Sequence, residues 1–324
     1  MIPLHTNKIK YIQNSFRTEI NAQRISALNK LTAIDQTIYS QNEITYLQSI
    51  IQLFNDSSFL TRTPLEIEVI KQRTGPLPQP SLTDPNGKLL KFQLTDHIQK
   101  ALNYTALRKN FYPKYFRSIG IKSCIYCNSQ LTVSIAKIAN KIDARLEVDH
   151  YYPKDDFPYL SISLFNLYPC CSSCNKRKKK NLVNFKLYTD EISKLSKSEF
   201  NFSITKSSEC DYLVTKDIDS IEIVFDDSSA PLTGYKSLQD AFSIREIHAT
   251  QKDIISELII KNQIYNESFK RTLKNNFSKL SLSQNDFDRV IIGNYTKDKD
   301  IHKRPFSKMT MDIAKQLGLI KKEY

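Results

Sequence analysis

Apolar residues recur at helical spacing early in the chain. Ala27, Leu28, Leu31, Ile34 and Ile38 stand three or four positions apart, apart from adjacent pairs. Ile44, Leu47, Ile50, Ile51 and Phe54 repeat the pattern, so residues 14–56 are expected to form helices with these side chains toward a core. The period is lost at RTGPLPQPSLTDPNGK (73–88), which holds four prolines and two of the six glycines and reads as a linker or long surface loop. TDHIQKALNYTALRKNFYPKYF (95–116) returns to helix. After about residue 190, EFNFSITKS and DSIEIVFDDSS alternate with a period of two and predict strands. From about residue 235 the helical pattern resumes through Ile254, Leu258, Tyr265 and Phe269. A last helix is expected to start near Pro305 or Ser307 and to stop at Gly318. The pattern predicts an α+β, predominantly helical protein. It has a helical region (1–72), a linker or loop (73–94), a central segment (95–190) and a strand-plus-helix region (191–324).

Composition changes little in this picture; charge changes more. A 40% hydrophobic and 25% charged chain of 324 residues is ordinary for a globular protein. No apolar run approaches a membrane span, and MIPLHTNKIKYIQNSF lacks the apolar core of a secretory signal, so a cytoplasmic protein without a membrane partner is expected. The formal charge is +13, which favours polyanionic partners. Residues 110–190 hold 13 Lys/Arg against 6 Asp/Glu, so the excess concentrates in the central segment.

That segment also holds five of the six cysteines. Cys124 and Cys127 form one pair of metal-knuckle spacing, Cys171 and Cys174 another. Two such knuckles complete a tetrahedral four-cysteine Zn2+ site. Cys170 and Cys210 are expected to be small buried residues. Between the knuckles, ARLEVDHYYP predicts a strand with Leu146 and Val148 on one face and Glu147 and Asp149 on the other. His150 stands at its end and Pro153 closes it. Asn166 precedes the second knuckle, Asn175 follows its last cysteine, and five cations, Lys176 to Lys180, come next.

On these residues the central segment resembles the HNH endonucleases of the ββα-metal superfamily. The features shared are a knuckle, a strand ending in Asp149-His150 with Pro153 three residues on, Asn166, and a Cys174-Asn175-x-x-Lys178 ending. The match covers roughly residues 120–180, and Asn175 stands where the family name has its final His. The resemblance implies a central ββα-metal module stapled by the zinc site. His150 would be the general base, Asp149 and Asn175 would hold a catalytic Mg2+ (or Mn2+), and Asn166 would tie the intervening loop. A neutral imidazole can take a proton from water near neutral pH, and an oxygen-held cation suits a phosphodiester. On this reading Lys176, Arg177 and Lys178 extend along the helix beside the metal and meet DNA phosphates, while Lys179 and Lys180 are phosphate contacts or a solvated face. Glu147 either supports the metal ligands or is structural.

The implied function is a metal-dependent DNA endonuclease with helical flanks that choose substrate or partner. By analogy with Septu-like systems it would act in restriction or anti-phage defence, with a partner such as an ATPase; a homo-oligomer is compatible with it. HKRPFSKMTMDIAKQLGLI (302–320) resembles segments of such defence nucleases. A non-catalytic zinc-ribbon nucleic-acid-binding protein accounts equally for cysteines and charge, but not for Asp149, His150, Asn166 and Asn175 together. A zinc module for protein assembly accounts for neither the charge nor the Asp-His pair.

Overall fold

The computed structural model describes residues 1–136, 142–196, 198–227 and 232–321. The N-terminal helical pattern is realised by α1 (Thr6–Ser15), α2 (Arg17–Thr32) and α3 (Gln41–Asn55), preceded by a short strand β1 (Leu4–His5). Ala27, Leu31, Leu47, Ile50 and Phe54 are buried. Ile38 departs from its predicted place: it lies in the turn between α2 and α3, where helical spacing no longer sets direction, and is 49% exposed. α4 (Pro64–Thr74) starts on a reciprocal cap, Thr63 N–H donating to Glu66 Oε2 (2.8 Å) and Glu66 N–H to Thr63 Oγ1 (3.4 Å).

The proline-rich stretch is a surface loop tied to the body of the protein. Leu77 N–H donates to Asp156 O (2.8 Å), and the Gln93 side chain spans Leu82 and Leu90. The helix predicted over 95–116 is three helices, α5 (Leu94–Leu102), α6 (Tyr104–Asn110) and α7 (Tyr112–Ile119). Asn103 breaks the first two at φ 52°, a left-handed conformation that asparagine tolerates better than most residues.

The expected single strand around Asp149 is divided. β2 (Val133–Ala136) pairs antiparallel with β3 (Ile142–Arg145). After a bend at Leu146, β4 (Glu147–His150) pairs instead with β5 (Leu167–Cys170), setting Asp149 opposite Tyr168 and His150 opposite Leu167. Because the chain changes partner at Leu146, the two faces do not divide into core and solvent: Val148 and Asp149 are both buried. The short helix α8 (Ser172–Lys178) follows β5 and packs on β4. Next come β6 (Leu182–Val183) and β7 (Tyr188–Thr189), the latter parallel to β1.

In the C-terminal region, after α9 (Ser193–Ser196), the two predicted strands form an antiparallel pair. β8 (Phe200–Ile204) and β9 (Ile223–Asp227) flank α10 (Lys206–Thr215), and Phe200, Phe202 and Ile204 face inward. Ser228 and Ser229 of the predicted second strand lie outside the described residues. β10 (Tyr235–Lys236) pairs with β6, and α11 (Leu238–Phe242), α12 (Ile244–Ala249) and α13 (Lys252–Ile264) follow. α14 (Glu267–Asn276), α15 (Gln284–Ile292) and α16 (Ser307–Gln316) complete the order. The apolar stripe through Leu258 does not reach Phe269, since Asn266 caps a new helix and leaves that ring 40% exposed. The last helix ends before Gly318, which adopts φ 77°. No helix among the described residues is long and apolar enough to cross a membrane.

One apolar core joins all these regions, and polar contacts tie the C-terminal segment to the first knuckle and to Ile2. The buried Asn128 amide donates to Ser123 Oγ (2.9 Å) and Ile301 O (3.0 Å) and accepts from Lys308 N–H (3.0 Å). His302 donates through Nε2 to Ile2 O (2.8 Å), while its Nδ1 is buried without a partner. Burial pushes the His302 pKa down to about 4. The unfolded chain, with an ordinary imidazole near 6.5, therefore binds more protons than the folded one between those values. Stability falls as pH drops through that window. Thermal melts should show the loss, and His302→Gln should flatten the slope there by about one proton.

Candidate functional site

The four knuckle cysteines meet in the fold. Cys124, Cys127, Cys171 and Cys174 are buried, and their sulfurs all lie within 4.8 Å of one another, with Cys127 and Cys171 at 4.0 Å. A tetrahedral ion bound at about 2.3 Å requires sulfurs about 3.8 Å apart, so the cage has the right size. The local backbone builds it. Cys124 N–H donates to Gln130 O (2.8 Å) and Asn128 N–H to Cys124 O (2.9 Å), turning the first knuckle. Cys171 caps α8, its sulfur accepting from Cys174 N–H (3.4 Å), and Cys171 N–H points at Cys124 Sγ (3.3 Å). Ser129 Oγ donates to Cys127 Sγ (3.1 Å). Burial drives the Cys124 thiol well above its usual range, whereas hydrogen bonding among the four sulfurs, that of Cys124 first, holds Cys127 far below. Four buried thiols cannot all ionise unaided; a divalent ion lets them. These cysteines are placed to hold a metal ion. Cys170 is buried outside the cluster, as expected, but Cys210 is exposed on α10, a correction to its expected burial.

Asp149 and His150 end β4 beside this cage. The Asp149 carboxylate is nearly buried and already engaged. Tyr126 OH, from inside the first knuckle, donates to Oδ2 (2.6 Å), and Lys178 Nζ lies 3.1 Å from Oδ2 and 3.3 Å from Oδ1. Burial raises the Asp149 pKa against the opposing pull of Lys178. Lys178 is completely buried, and its ammonium also donates to His150 O (2.7 Å). This corrects its expected place on a phosphate-binding face: α8 turns Lys178 inward, and only Lys176 and Arg177 of the predicted trio are exposed. Removing either member of a buried ion pair leaves an uncompensated charge, at a cost of about 3–5 kcal/mol. The remaining cations do not continue the helix. Lys179 ends it at φ 51°, and Lys180 turns to Asp155 (3.2 Å). Arg177 also bonds Ser243 Oγ (2.9 Å).

His150 Nε2 lies 2.9 Å from Ser161 O. A carbonyl only accepts, so Nε2 carries the proton and Nδ1 is left as the basic nitrogen. Burial pushes the His150 pKa down to about 4, and the charges of Lys154 and Lys178 add to this. The imidazole is therefore neutral at pH 7. Tyr104 covers it, with ring centroids 4.7 Å apart and its hydroxyl donating to Val148 O (2.9 Å). Asn166 is buried; its Oδ1 accepts from Tyr152 N–H (2.8 Å) and its Nδ2 donates to Tyr152 O and Leu160 O (3.1 Å each). It thus joins the two ends of the loop between β4 and β5. Glu147 pairs with Arg108 (3.3 Å).

Asp149 and Asn175 are the oxygen donors that the HNH resemblance implies for a hard divalent cation. Asn175 is half-buried on α8, one turn before Lys178. One carboxylate and one amide suit Mg2+, which keeps several waters and leans on substrate phosphates. The Lys178 ammonium already balances Asp149, and a cation at that carboxylate would compete with it.

Sequence pattern does not single out Tyr104, Tyr126 or Ser161. Tyr126 alone carries a signal, its place between the two cysteines of a knuckle. Compared with protein-family models, curated proteins and solved structures, the chain matches none.

Proposed function

We propose that the protein is a metal-dependent DNA endonuclease of HNH type, with Zn2+ as a structural ion in the four-cysteine cage. The observation that carries this reading is the tautomer of His150: a neutral imidazole, Nε2–H spent on Ser161 O, and Nδ1 free to take a proton from water. The order of elements supports it. An antiparallel hairpin carries Asp149 and His150 at the end of one strand, and a short helix bearing Asn175 follows. Mg2+ or Mn2+ held by Asp149 and Asn175 would supply charge neutralisation at the phosphate.

The chain's own residues have separate tasks in this scheme. Ser161 orients the imidazole, Tyr104 shields one side of it, and Asn166 holds the loop that presents Ser161. Tyr126 and Lys178 fix the Asp149 carboxylate. Lys176 and Arg177 remain on the surface for phosphate contacts.

Incubation of supercoiled plasmid with the purified protein and Mg2+ should yield nicked or linear product, and EDTA should abolish it. DNA binding without any cleavage under Mg2+ or Mn2+ would instead favour the zinc-ribbon reading, which the charge and the cysteine cage also allow.

A further inference from the structure

A cleft of about 490 Å³ opens beside His150, built mostly from elements outside the hairpin-helix unit. α5 contributes Lys100 and His97, α6 contributes Tyr104 and Thr105, and the loop after β4 contributes Lys154 and Ser161. Two of these residues touch the imidazole itself, Tyr104 by its ring and Ser161 by its carbonyl.

Three observations make the cleft more than a surface depression. Lys100 and Lys154 form no ion pair with a carboxylate among the described residues, and Lys154 Nζ lies 5.8 Å from the Tyr104 ring centroid. Asp96 also lines the cleft, accepting from Gln93 N–H at the start of α5 (2.9 Å), while Asp155 pairs with Lys180. Ser161 is fully buried, yet its hydroxyl has no hydrogen-bond partner. A cleft whose two ammonium groups outnumber its one carboxylate, and whose wall holds an unused hydroxyl, is suited to an anion with several acceptor oxygens.

We propose that this cleft binds a backbone phosphate of the nucleic-acid strand adjoining the scissile bond, with Lys100 and Lys154 as its cationic ligands. The proposal rests on the endonuclease reading. Lys178 is spent on Asp149 inside the fold, and α5 and the loop after β4 supply cations at the surface in its place. The strand is then gripped on the Tyr104 side of His150 by Lys100, which precedes the first knuckle, and by Lys154, which lies between the two.

The test is duplex binding without added Mg2+ or Mn2+, read by fluorescence anisotropy across a salt series, in the full-length His150→Ala protein. Adding Lys100→Gln and Lys154→Gln should weaken binding and reduce the slope of log K against log salt by about 0.9 for each phosphate no longer neutralised. Lys154→Arg in place of Lys154→Gln should restore its share, which a merely structural role would not do. An unchanged slope in the double lysine variant overturns the cleft proposal if wild-type protein still cuts DNA. Wild-type protein that neither binds nor cuts DNA removes the endonuclease reading, and the cleft proposal with it.

Discussion

His150→Ala is expected to bind duplex DNA nearly as tightly as wild type while cutting it about 10²–10⁴-fold more slowly, the usual cost of a missing general base. The expectation follows from what the imidazole touches. Its Nε2–H meets a backbone carbonyl and its ring lies against Tyr104, so its removal disturbs no ion pair and no cysteine of the cage. Asp149 keeps Tyr126 and Lys178, and the exposed Lys176 and Arg177 keep their positions on α8. Binding and chemistry should therefore separate. Single-turnover nicking rates give the second and anisotropy without added Mg2+ or Mn2+ gives the first. A wild-type nicking rate in His150→Ala would overturn the assignment of the base, whatever metal the cysteines hold.

Cys171→Ser should have the largest effect on the folded state. It removes a ligand from the cage and the sulfur that caps α8 at Cys174 N–H. Apparent binding free energies of structural zinc in small domains, about 10–16 kcal/mol, match or exceed the stability of a typical domain. The expected outcome is little soluble protein, and metal content well below the single equivalent expected of wild type by elemental analysis. Cys170→Ser provides the contrast. That thiol is equally buried but lies outside the cage, so the cost should be that of burying a hydroxyl, about 1–3 kcal/mol, with metal content unchanged. Well-folded wild-type protein without metal would sink the zinc reading.

Much of the fold is legible in the sequence because it depends on local pattern. The stripes of α2 and α3, the alternation in β8 and the start and stop of α16 rest on spacing, caps and one glycine. The cysteine cage is legible for a similar reason, since knuckle spacing constrains ligands within a few residues. What escapes depends on contacts between distant segments. Nothing in the run Lys176–Lys180 marks Lys178 as the residue that turns inward. Its burial is decided by Asp149, 29 residues earlier in the chain, and by the short length of α8. The bend at Leu146 reflects two different strand partners, and Tyr104 reaches Val148 from 44 residues away. Ile38 departs from expectation because it lies past the end of α2, and Phe269 because it belongs to a new helix whose phase α13 does not set.

The Asn128 contacts have a consequence for the order in which the molecule is made. Asn128 leaves the ribosome 173 residues before Ile301, whose carbonyl its side chain will meet. At ordinary synthesis rates of about 5–20 residues per second, that separation lasts roughly 10–35 s. All four cysteines and His150 have emerged well before it ends, while the wall that braces the first knuckle is still unmade. The nascent chain thus carries the four cysteines and His150 before the Asn128 contacts that brace the first knuckle can form. A knuckle built this way gains its brace last, only after a further 173 residues have been made.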